Sequence, residues 1–107
     1  MNKELEKQFN IAMYEIYKRA KSEAKYNATR YLHMLDAHGG IETAHILINS
    51  STVSEGYSAL WERGRLDLTV EALIWDNPEY NNLFSKEELE LIRERLIEYR
   101  YEPAMKS

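Results

Sequence analysis

The chain has no cysteine, two prolines, four glycines and two phenylalanines in 107 residues. Without cysteine it can hold no disulfide framework, no thiolate nucleophile and no zinc site with sulfur ligands. Its glycines, Gly39-Gly40, Gly56 and Gly64, lack the spacing of a phosphate-cradling loop or a dinucleotide fingerprint. No G-x-S-x-G elbow is present, so no catalytic residue is nominated and no cofactor is expected. No apolar run approaches the roughly 20 residues of a membrane-spanning helix. The opening Met-Asn-Lys-Glu-Leu-Glu also lacks a signal peptide's apolar core. The cytoplasm is therefore the expected address, with no membrane partner.

What is present suits one helical domain over residues 1–107. At 12.7 kDa and 44% apolar residues, folding buries roughly two-thirds of the extended-chain surface. Charge is uneven: residues 1–30 carry seven Lys/Arg against four Glu, and the remainder seven against fourteen acids. Lys18, Lys21, Lys25 and Arg30 are candidate phosphate contacts, because each neutralised phosphate releases counterions. Cations at a helix C-terminus also suit its dipole without any ligand.

Leu5, Phe9, Ala12, Met13, Ile16, Tyr17 and Ala20 recur at three- and four-residue steps, predicting a long first helix over about 3–24. The rest reads as a helical bundle over 27–102. Asn27 is the expected N-cap of a helix ending at Gly39-Gly40, and a short helix follows from Ile41. Ser54 caps the next, which buries Tyr57, Leu60 and Trp61 and stops at a left-handed Gly64. Asp67 is the expected cap of a helix broken by Asn77-Pro78. Ser85-Lys86-Glu87-Glu88 fits a capping box opening the last helix, and Pro103 closes the fold. The expected architecture is all-α, a single compact orthogonal bundle of five to six short helices.

Imidazole titrates near neutrality and ligates metals, so His33, His38 and His45 are the residues to weigh for chemistry. Glu42 and His45 form an E-x-x-H pair on one helix face, with Asp36 or His38 as further ligands. A single such pair is a weak signal, and His38 suits a capping role at its helix C-terminus, so no metal is expected. Residues 28–49 also read as helix, turn, helix, but the second helix offers Glu42, Thr43, His45 and Asn49 without the Arg or Lys that reads guanine or clamps phosphate. Eight Tyr and two Trp outnumber the Phe, a choice suited to half-buried positions and interfaces. Tyr14, Tyr80, Tyr99 and Tyr101 are expected to remain partly exposed and are the nominated partner-binding residues. Tyr57 and Trp61 are expected to pair with each other, and Arg63 or Arg65 with Asp67 or Glu71.

Two stretches, YNATRYL leading to GGIETA over 26–44 and YSALWERGRLDLTVEAL over 57–73, resemble a group of small uncharacterised bacterial all-helical proteins. The resemblance implies a free-standing helical module of bacterial origin and transfers no site residue. The expected function is a protein-interaction or adaptor module without catalytic activity, its partner a protein or a second copy of itself. The alternative is a nucleic-acid-associated accessory protein using the basic end of the first helix. A third reading, a metal-dependent enzyme, uses Glu42, His45 and His38.

Overall fold

The structure, a computed structural model, describes residues 3–102. Pro103 lies outside the described residues. Within them the chain is helical and contains no strand, in the order α1 (Lys3–Glu23), α2 (Thr29–His38), α3 (Gly40–Ile48), α4 (Glu55–Glu62), α5 (Val70–Trp75) and α6 (Lys86–Glu98), with 3₁₀ helices at Leu66–Leu68 and Pro78–Leu83. The all-α bundle expected from the sequence is the fold observed.

The stripe on α1 does what its period requires: Leu5, Phe9, Met13, Ile16 and Ala20 are all buried. All but Ala20 meet Ala44 and Ile48 of α3, Ala72 and Ile74 of α5, and Ile92 and Leu96 of α6 in one core, while Ala20 packs with Leu60 and Leu68 in a smaller cluster. The α2–α3 connection is a single residue, Gly39, at a left-handed φ of 82°. The next residue, Gly40, donates its amide to Asn10 Oδ1 at 2.7 Å. A Cβ on Gly40 would lie 3.0 Å from Asn10 Cα, so glycine lets the start of α3 press against α1.

Capping follows the sequence where the cap is local. Ser54 Oγ accepts from the Tyr57 amide, and the Ser85–Glu88 box is complete. Two assignments need correction. Asn27 does not cap α2, whose N-cap is Ala28 without a side-chain bond, because Asn27 Oδ1 accepts from the Tyr17 hydroxyl instead. Thr69, not Asp67, caps α5, since the 3₁₀ helix shifts the start and leaves Thr69 Oγ1 facing the Ala72 amide. Asp67 takes a bidentate grip from Arg65 at 3.0 and 3.1 Å.

Both α4 and α6 end in a Schellman motif, in which two amides return to carbonyls of the last turn. In α4 the Arg65 amide reaches the Leu60 carbonyl and that of Gly64 reaches Trp61; in α6 Tyr101 reaches Leu96 and Arg100 reaches Ile97. The left-handed residues are Gly64, at φ 69°, and Arg100, at φ 62°.

Candidate functional site

The two Schellman ends lie side by side, and between them is an open depression lined by Trp61, Leu66, Tyr99 and Tyr101. The end of α4 delivers Trp61 and the end of α6 delivers Tyr99. The Trp61 indole stands edge-on to the Tyr99 ring at 5.4 Å, and Tyr99 is in turn edge-on to Tyr57 at 4.9 Å. Edge-to-face pairs of this kind are worth about 0.5–1.5 kcal/mol beyond their area burial. Tyr57 is buried, Tyr99 and Tyr101 are half-buried, and Trp61 is 48% exposed. Its predicted burial and direct pairing with Tyr57 are therefore corrected: Tyr99 stands between them as the shared partner.

The Tyr101 hydroxyl donates to Asp76. Burial and that carboxylate both push it above the usual phenol range, so this edge of the depression stays uncharged. Asp67, Arg100 and Glu102 bring charge to its border. An aromatic centre with a charged border is the composition of a protein-interface hot spot.

The other two nominated tyrosines lie elsewhere. Tyr80 is 8% exposed, with its ring 5.0 Å from Phe9 in T geometry. The expectation that it stays exposed is corrected, because the 3₁₀ helix Pro78–Leu83 turns it onto the core. Tyr14 is half-buried, and its hydroxyl donates to Asp36 Oδ1 at 2.8 Å. That bond to Asp36, with a lesser burial contribution, raises the Tyr14 pKa.

Lys18, Lys21, Lys25 and Arg30 are all exposed. Lys18 Nζ lies 3.7 Å from Glu15, and Lys25 bends back to donate to the Ser22 carbonyl at 3.2 Å. Arg30 stands on the first turn of α2. Beside them Glu23 accepts from Arg19 and Arg65, which together hold its carboxyl at about 2. Ser22 and Lys25 have the S-x-x-K spacing of one class of serine hydrolase. Here, however, the lysine meets the serine's carbonyl, and both residues are exposed.

The E-x-x-H pair is split. Glu42 meets His38 Nδ1 at 2.8 Å, while His45 Nδ1 meets Glu88 Oε2 at 2.5 Å. His33 is exposed, and the described residues hold no group of three or more His, Asp or Glu arranged for a metal ion. On α3, the helix whose lack of Arg and Lys argued against a recognition role, His45 and Asn49 both engage Glu88, and Thr43 is buried. No helix among the described residues is long and apolar enough to cross a membrane.

No protein-family model, curated protein or solved structure matches the chain.

Proposed function

We propose that the chain is a protein-interaction module whose contact surface is centred on Trp61, with Tyr99 and Tyr101 beside it. One observation carries the reading: a tryptophan is left 48% exposed with the Tyr99 ring packed in T geometry against it at 5.4 Å. Holding the indole before a partner arrives lowers the ordering cost of binding. Tryptophan and tyrosine at the centre of a patch are also the residue types that dominate binding energy. The partner is a protein or a second copy of the chain, in the cytoplasmic, bacterial setting that the sequence resemblance implies.

The test is a pull-down from the source cell's lysate at low and moderate salt, with and without nuclease, comparing the native chain with Trp61→Ala. Sedimentation of the purified chain runs beside it to detect self-association. The expected result is a stoichiometric protein, or a dimer, that survives nuclease and moderate salt and is lost in Trp61→Ala. The same variant should remain folded and lose about 1–3 kcal/mol of stability, the aromatic pair together with the half of the indole that is buried. Binding that persists in Trp61→Ala refutes the reading. Recovery of nucleic acid that disappears at moderate salt favours the alternative, in which Lys18, Lys21, Lys25 and Arg30 contact phosphate.

A further inference from the structure

A second concavity lies away from the Trp61 surface, between the α1–α2 turn, the α3–α4 loop and the start of α5. It has a volume of about 340 Å³, within the range of small-molecule sites. Four tyrosines line it, Tyr17, Tyr26, Tyr31 and Tyr57, together with apolar residues such as Ile16 and Leu60. Three of the four hydroxyls already donate within the protein. Tyr17 bonds Asn27 Oδ1 at 3.0 Å, Tyr31 the Met13 carbonyl at 2.8 Å, and Tyr57 the Arg95 carbonyl at 3.1 Å. Tyr57 is 2% exposed, so the ring surface open to a ligand comes from Tyr17, Tyr26 and Tyr31, which are half-buried. Burial pushes the Tyr31 and Tyr57 hydroxyls well above the usual phenol range, so these walls stay neutral.

The charges around the cleft are balanced. Glu71 lines it and is 3% exposed, but its carboxylate accepts from Arg95 at 2.9 Å. Arg95 does not line the cleft, and its guanidinium also donates to the Leu47 and Ser50 carbonyls. Arg30 and Glu55 are the other lining charges; both are exposed, one of each sign, and neither is in an ion pair among the described residues, while Arg63 holds its guanidinium 5.2 Å over the Tyr26 ring and donates to the Ala24 and Ala59 carbonyls. Free charge of either sign thus stands only at the exposed mouth, and an ion held deeper in the cleft loses its hydration without gaining a counter-charge.

We propose that this cleft binds an uncharged aromatic molecule of one or two fused rings. A dry apolar cavity of about 150 Å³ accommodates benzene, and a cleft roughly twice that size suits a bicycle. Offset or edge-on contact with the tyrosines fixes the ring plane, and the balanced charges select against ionised analogues. This site shares no lining residue with the Trp61 depression and does not rest on that reading.

The test is an NMR titration of the isotope-labelled chain with indole, tryptamine and indoleacetate, which share one bicycle and differ in charge. Saturable indole binding is expected, with shifts at Tyr26, Tyr31 and Gly56 and affinity at least ten-fold above either ion. Gly56 lines the cleft, and a Cβ there would sit 3.8 Å from the Tyr26 ring. Gly56→Leu therefore fills the cleft and should lower indole affinity at least ten-fold while the helical circular dichroism is retained. Tyr26→Ala, which removes one ring wall of the cleft, should also lower indole affinity at least ten-fold, and it decides the question alone if Gly56→Leu does not fold. Preference for either ion, shifts outside the cleft, or no saturable indole binding overturns the proposal. So does indole affinity that folded Gly56→Leu or Tyr26→Ala leaves intact.

Discussion

Arg95 of α6 donates to the Glu71 carboxylate of α5 at 2.9 Å, with the side chains only 11% and 4% exposed. Burial outweighs both Arg95 and the Glu71 amide and raises the Glu71 pKa, so the pair does not fully offset its own desolvation. Removing one partner leaves a buried charge uncompensated. Arg95→Ala should therefore cost about 3–5 kcal/mol, while Glu71→Leu with Arg95→Met should recover most of it. Urea unfolding of the three variants measures the difference. A double variant no more stable than Arg95→Ala alone would mean that the Leu47 and Ser50 contacts, not the ion pair, carry the effect.

Glu88 behaves oppositely. Burial raises its pKa, but the Ser85 amide, the His45 ring and the Asn49 amide outweigh this, and the carboxyl titrates below its usual value. A carboxyl with a depressed folded pKa contributes stability that is fully present above its unfolded pKa and is lost as pH falls through the folded one. Glu88→Gln should lower stability at neutral pH by about 1–2 kcal/mol, as expected for loss of a cap with charge-assisted bonds. It should also flatten the acid limb of the stability profile below the ordinary carboxylate range. Equal acid sensitivity in the native chain and the variant would assign the acid limb to other carboxyls.

Two glycines in helices should respond with opposite sign. Gly40→Ala puts a methyl 2.9 Å from Asn10 Oδ1 and 3.0 Å from Asn10 Cα, and should destabilise by about 1–3 kcal/mol through overpacking. At Gly56 the new methyl meets only ordinary contacts of 3.8–3.9 Å. Gly56→Ala should therefore stabilise by about 0.5–1 kcal/mol, the helix-propensity difference. Thermal unfolding of both variants reads the sign directly.

Arg100 holds a left-handed backbone that glycine adopts without strain. Arg100→Gly should stabilise by about 1 kcal/mol, and it leaves the Tyr101-to-Leu96 bond in place. Loss of stability would show that the Arg100 side chain contributes more than its backbone strain costs.

Features encoded in a few adjacent residues were readable from the sequence. The Ser85–Glu88 box, the Ser54 cap, the α1 stripe and left-handed Gly64 all depend on neighbours within a turn or on a fixed period. Lys25 and Arg100 also end helices in the left-handed region, but neither residue type signals it. Arg65 was legible as the partner of Asp67, two residues away; Glu71 finds Arg95 twenty-four residues on, a choice made by the packing of α5 on α6. The candidate surface was half legible. Tyr99 and Tyr101 follow from their position at the end of α6, whereas Trp61 joins them only because the ends of α4 and α6 meet. Tyr80 was misread because a 3₁₀ turn sets its direction, not the α-helical period. The cleft tyrosines come from three different helices and one connecting segment, and no local pattern gathers them.

One carboxylate, that of Glu88, receives the Ser85 amide that begins α6 and, on its other oxygen, both His45 and Asn49 at the close of α3. The start of one helix and the end of another thus share a single knot. Fraying of either terminus breaks bonds that hold the other, so the two are expected to open together in amide exchange although about forty residues of chain separate them.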